Sequence, residues 1–253
     1  MEKKYSVITY VFGEYEKIRE VLEVDEQAEY ICVTDNENLK SDTWNIIVDH
    51  DLDGKGVFDK VFSVRYNPFK YCTTDVCVRI DGSIQVKKSL SPIVNSFIES
   101  GDDCCYMLHP YRNLIKLEYA IWAKYRAFPM KNIAKHIAFL ANMGYDFNTR
   151  GLIELTFSIV KRDFINDNIN RMTYAAMKYL GDEKDIDRLD QTIISAIIDR
   201  FFRTANIFWV TEEIIHSDYL QWYGHNSDIE IPIYREKVIP PMFFNKEVKI
   251  NLF

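Results

Sequence analysis

The sequence predicts an α/β fold: one domain over residues 1–253, with a central, mostly parallel mixed sheet covered by helices on both faces. Three observations lead there. Short apolar, β-branched runs alternate along the chain with segments of helical periodicity. The 253 residues are 47% hydrophobic and 27% charged, an ordinary globular balance and enough chain for one large core. Several apolar runs end on a polar residue, Asp35, Asp81 and His109, where open α/β sheets place their ligands.

The elements follow in order. Residues 5–12 read as a first strand and 13–22 as a short helix. Strands are predicted at 29–35 and 44–51. In 76–84, Val76, Val78 and Ile80 alternate with Cys77, Arg79 and Asp81, a period of two that marks a strand. It runs into Asp81-Gly82-Ser83, which is turn chemistry. Ser91 suits an N-cap, Pro92 the first helical position and Gly101 the stop of the next helix. A strand at 104–108 precedes helices at 112–127 and 131–143. A strand at 151–160, helices at 167–180 and 186–201, and a late strand at 206–210 complete the pattern. Within the one domain, residues 111–253 end in a C-terminal tail.

The bulk chemistry removes several function classes. A net charge of -7 opposes sequence-independent nucleic-acid binding, which needs a basic surface. The five cysteines show no CxxC pair and no zinc spacing, and read as buried free thiols in a reducing compartment. The N-terminus turns charged almost at once, so no signal peptide is expected, and no run approaches the roughly 18 apolar residues of a membrane span. A cytoplasmic protein is the expectation. The motifs GxGxxG, GxxxxGK[ST] and GxSxG are absent, against a Rossmann dehydrogenase, a P-loop NTPase and an α/β-hydrolase. A nucleotidyltransferase would want a glycine-rich basic loop after the first strand, and 10–17 has one glycine and is acidic.

The polar residues carry two readings each. Asp35-Asn36 can open a turn, Asp81-Gly82 is itself a hairpin signal, and His109 can be a surface histidine. Asp190 falls within the apolar stripe of Ile186, Ile193, Ile194, Ile197 and Phe201. Either the helix begins later and Asp190 is its N-cap, or the carboxylate faces inward at the edge of a site. Arg112 and Glu118 could pair on the surface, or Arg112 could meet phosphate; Lys161-Arg162 offers a second such place.

Four segments occur in a fixed order: Arg79 to Ile84 around Asp81, His109-Pro110-Tyr111-Arg112 with Glu118 beyond, Gly151 to Arg162, and Arg188 to Thr192 around Asp190. Over about residues 30–200 they resemble the GT-A-fold nucleotide-sugar glycosyltransferases. More specifically, they are similar to the bacterial and plant glycosyltransferase-like family typified by the mucilage-related and turgor-regulation-defect proteins. The resemblance implies a hexosyltransferase-like enzyme of polysaccharide or capsule biosynthesis. It would move a sugar from a nucleotide donor, UDP first, to a glycan or lipid-linked acceptor, with residues 1–110 as the nucleotide-binding half and 111–253 as the acceptor-side half with the tail. It places Asp35, Asp81, Ser83, Arg112 and Lys161 at the donor, Asp190 and Glu118 in catalysis, and His109 and Gln191 on the acceptor side. A divalent ion, Mn2+ or Mg2+, would lie on Asp81 and His225, with His216 the other histidine considered. Ser83 stands where the usual second carboxylate would be, and a hydroxyl is a weaker ligand for a hard cation. The same serine keeps open a non-catalytic module that binds a sugar nucleotide or a partner. The tail, with aromatics among lysines, is a final strand or packed arm, or a peripheral membrane contact.

Overall fold

The computed structural model describes residues 2–13, 16–125, 129–181, 189–225, 227–231, 242–243, 246–247 and 251. In chain order the elements are β1 (Tyr5–Val11), β2 (Ala28–Thr34), β3 (Asn45–Val48), α1 (Val57–Arg65), β4 (Val76–Ile80), β5 (Ile84–Val86), α2 (Ser91–Ser100) and β6 (Cys104–Leu108). Then come α3 (Ile115–Tyr125), α4 (Met130–Asn142), β7 (Ile153–Lys161), α5 (Phe164–Leu180), α6 (Asp190–Phe201), β8 (Ile207–Val210) and β9 (Leu220–Trp222).

Seven strands form one mixed, mostly parallel sheet in the order β3-β2-β1-β4-β7-β6-β8. Only β7 pairs antiparallel with its neighbours, β4 and β6. The alternation of side chains along the strands divides the core between the two faces. Val7, Val78, Cys105 and Phe208 pack under α2 through Ile93, Val94 and Phe97. On the other face Cys104, Tyr106 and Ile153 pack with residues of α1 and α3 to α6, and Ile8, Ile31 and Cys77 with Val64 of α1. Helices thus cover both faces, and the sheet draws strands from both halves of the chain. All five cysteines are buried and unbridged. Among the described residues no helix is long and apolar enough to cross a membrane.

Several elements depart from expectation. Residues 16–22 are not helical. Tertiary hydrogen bonds hold this stretch: Glu20 accepts from the Ser41 hydroxyl at 2.7 Å and the Thr43 N–H at 3.2 Å, and the Trp44 indole donates to Arg19 O at 2.8 Å. Helix α1 was not anticipated at all. At α2, Leu90 takes the cap position and the Ser91 hydroxyl goes to Asp25 instead, at 2.5 Å. Gly101 ends that helix in the left-handed region, φ 74°, as a C-terminal glycine should. Asp81-Gly82 does not turn a hairpin within the main sheet, because β5 leaves to pair with β9. In the tail, Met242–Phe243 pairs with Lys246–Glu247, and Asn251 N–H donates to Trp209 O of edge strand β8 at 3.0 Å. The rest of the tail lies outside the described residues, as do Ile186 and the start expected for α6.

Candidate active site

The order of the sheet reverses at β1: β2 and β3 lie to one side and β4 to the other. Crevices at such switch points, beyond the carboxyl ends of the strands, are where open α/β sheets bind ligands. Here the crevice has two lobes. The smaller, about 210 Å3, is lined by Tyr10, Phe12, Phe58, Phe62 and Arg65. The larger, about 310 Å3, is lined by His109, Arg112, Trp122, Glu154 and Trp222. Asp81, Trp122, Asp190, Gln191 and His225 line both.

Arg65, the last residue of α1, organises the junction. Its guanidinium donates through Nη2 to Asp81 Oδ1 at 2.6 Å, through Nη1 to Asp190 Oδ2 at 2.5 Å, and through Nε to the Tyr10 hydroxyl at 2.7 Å. Tyr10 in turn donates to Asp81 Oδ1 at 2.7 Å. The planar five-donor fork of arginine suits this task, and a lysine ammonium could not span both carboxylates. Tyr66 adds a hydrogen bond to Asp190 Oδ2 at 3.1 Å.

Asp190 is the first residue of α6, with Leu189 at the cap position, and its side chain is buried. Of the two readings open for it, the inward-facing one holds. Burial raises its pKa, and the Arg65 guanidinium pulls the other way without cancelling the shift. Glu154 is the second residue of β7 and also lines the cleft. Burial raises its pKa against hydrogen bonds from the Thr156 hydroxyl at 2.7 Å and from Gln191 Nε2 at 2.8 Å. The β6–β7 register slips here: Tyr106 pairs with Ser158, but Met107 with Glu154. The extra β7 residues bulge, and the strand is re-aimed beside the cleft.

Asp81 follows β4, with its N–H donating to Thr156 O at 3.2 Å. Ser83 is buried, lines the larger lobe and, among the described residues, has no hydrogen-bond partner for its hydroxyl. Gly82 between them has no room for a side chain: a Cβ there would stand 3.0 Å from Glu16 Cβ and 3.1 Å from Tyr10 O. His109 is buried, and its Nδ1 faces the N–H groups of Tyr111 and Arg112 at 3.2 Å each. Burial, then the nearby Arg112 charge, lowers its pKa to about 3, so it is neutral at pH 7. Glu118 forms an ion pair with Arg112 and accepts from the Trp122 indole at 2.6 Å. It therefore positions Arg112 and an aromatic wall. His225 ion-pairs with Glu16.

Three expected residues stand apart. Asp35 follows β2, pairs with Lys60 at 2.8 Å, accepts from Gly13 N–H at 3.0 Å, and lines neither lobe. His216 lines neither lobe and sits near the Trp222 ring, centroids 6.0 Å apart. Lys161 is at the wrong end of the sheet for a donor site. Because β7 runs antiparallel, Lys161 pairs with Val76, at the far end of β4 from Asp81, about 16 Å away at strand rise. It donates to Asp102 O at 2.5 Å and lies over the Phe97 ring.

A resident divalent ion does not fit the residues present. Among the described residues no three His, Cys, Asp or Glu side chains converge as a metal set. Asp81 Oδ1 is already taken by Arg65 and Tyr10.

Sequence reasoning missed Tyr10, Arg65, Glu154 and Trp222. Glu154 carried a usable signal, a carboxylate inside the apolar run 152–160, the same anomaly that drew attention to Asp190. Comparison with models of known protein families returned no match, and neither did a search of curated proteins.

Proposed function

We propose that the chain is a glycosyltransferase that moves a sugar from a nucleotide-sugar donor, a UDP-sugar first, to a glycan or lipid-linked acceptor hydroxyl. The observation that carries this reading is the Asp81–Arg65–Asp190 bridge, set between two lobes at the switch point of the sheet. The smaller lobe, with the Tyr10, Phe12, Phe58 and Phe62 rings, suits a nucleoside. The larger combines the faces of Trp122 and Trp222 with Glu154, Gln191 and neutral His109, which suits a ring rich in hydroxyls. Arg65, held in place by its two carboxylates, presents its guanidinium where a diphosphate would leave. Asp190 borders both lobes, and its raised pKa suits a base that takes the proton of the acceptor hydroxyl. No step assigned here depends on an ion.

The test is calorimetric titration with UDP, GDP and CMP, with and without Mn2+, followed by a transfer assay. UDP should bind without the metal. Asp190→Asn should retain donor binding and lose about a thousandfold in transfer. Unchanged transfer would remove Asp190 from catalysis, and no binding of any of the three nucleotides would end the transferase reading.

A second reading, a binding module without turnover, is favoured by one observation. Asp190 Oδ2 and Asp81 Oδ1 are both engaged by Arg65, and Ser83 supplies no second carboxylate. Donor binding by the native protein with no transfer to any acceptor would select it.

A further inference from the structure

A separate groove of about 940 Å3 lies between the end of α1, the 3-10 turn Pro68–Lys70 and the N-terminal half of α5. It shares no lining residue with either lobe of the cleft. Its lining is richer in cations than the molecule as a whole. Four cations, Lys55, Lys70, Arg162 and Arg171, line it against two carboxylates, Asp51 and Asp167, on a chain of net charge -7. Lys70 is engaged by Asp49 at 2.7 Å and Asp51 at 2.9 Å, and Arg162 by Asp75 at 3.0 Å. The other two are not ion-paired among the described residues. Lys55 Nζ is 3.5 Å from the Ser63 hydroxyl, and Arg171 Nη2 donates to Asn168 Oδ1 at 2.6 Å.

Aromatic faces accompany the charge. Phe164 is 80% exposed at the rim, and the Tyr174 ring lines the wall. Asn67, Asn168 and Asn170 also line it; the Asn170 amide accepts from Arg79 at 3.0 Å, and Asn168 accepts from Arg171 and donates to Phe164 O at 2.7 Å. Among the described residues no glycine lines the groove, so those residues lack the close backbone approach on which phosphate-cradling loops depend. Spaced cations, amides and an exposed ring match a different ligand. Carboxylates meet single cations, hydroxyls meet amides, and sugar faces stack on aromatic rings. The volume lies at the upper end of the range for small-molecule sites, about 300–1,000 Å3, and leaves room for more than one sugar ring. We propose that this groove binds an acidic, carboxylate-bearing oligosaccharide, independently of the cleft.

The test is amide-resolved NMR titration of the whole chain with tetragalacturonate and a hyaluronan tetrasaccharide, with maltotetraose, UMP and inorganic phosphate as comparators. The acidic saccharides should shift amides in 164–174 and bind at least about tenfold more tightly than maltotetraose. The double variant Lys55→Glu, Arg171→Glu should weaken them about tenfold or more, and Phe164→Ala should weaken maltotetraose and acidic saccharides alike. These side chains lie at the groove and make no core contact, so UDP binding in the cleft should not change. Equal binding by the double variant, tighter binding of UMP or phosphate, or no shift with either acidic saccharide at about 10 mM would overturn the proposal.

Discussion

Arg65 shows what one side chain can hold together. Its guanidinium pairs with the buried Asp190 and the half-buried Asp81, and it fixes the Tyr10 hydroxyl against Asp81. Arg65→Met should therefore destabilise the protein by about 3–5 kcal/mol in urea unfolding at pH 7, because unpaired buried charge remains. The deficit should shrink on acidification, as the buried Asp190, whose pKa burial raises, takes up a proton. Arg65→Lys should recover only part of the loss, since one ammonium cannot reach both partners. His109 carries a pH signature of the opposite sign. Its folded pKa of about 3 lies below the ordinary 6.5. Below pH 6.5 the unfolded chain takes a proton that the folded chain refuses. Stability present above pH 6.5 therefore drains as the pH falls towards 3. The raised carboxyls of Glu154 and Asp190 work the other way, giving stability at low pH that is lost as the pH rises through their folded values. The difference between native protein and His109→Gln isolates the histidine: the variant should show a flatter acid limb between those two values. An unchanged slope would mean that the ring is solvated.

At the scale of the element, the turn after β4 is the tightest piece of the site. Gly82 lets Asp81 and Ser83 leave the sheet under Tyr10 and Glu16. Gly82→Ala should cost about 1–3 kcal/mol by overpacking, and should weaken any ligand held at Asp81. Denaturant midpoints and the UDP titration would check both. The strands were legible in the sequence because a period of two is a strong local signal, and Asp81 and His109 could be placed at strand ends for that reason. Helix α1 was not legible. Its inward face includes a charged residue, Arg65, so the pattern of its buried positions did not read as an apolar stripe. The helix expected at 13–22 failed for a different reason: Glu20, Thr43 and Trp44 make tertiary hydrogen bonds that no local window contains. The direction of β7 was equally hidden. Nothing in 151–160 says which way the strand runs, and that direction alone moves Lys161 away from the site and brings Glu154 into it.

For the whole molecule, the two faces of the sheet bury every cysteine, three of them at zero exposure on β4 and β6. Burial raises the thiols of Cys32, Cys77, Cys104 and Cys105. A colorimetric thiol reagent at pH 8 should find almost none of the five in native protein and all five in denaturant. Early reaction of one would mark local opening. Acidic surface charge, one mixed sheet and the switch-point crevice follow from composition and alternation. The ionic bridge in the crevice does not, since it joins residues from α1, the turn after β4, and α6.

The placement of β7 has a consequence for how the protein is made. The strand is synthesised after β6, yet it sits between β6 and β4. A nascent chain that has released only residues 1–110 therefore holds β3, β2, β1 and β4 with the last of them an open edge, and β6 has no strand to join. Such an edge invites pairing with other chains. Native protection of β4 begins only when a strand from the second half is inserted. The crevice, whose parts come from both halves, is completed later still, when Trp222 and His225 have followed Asp190 off the ribosome.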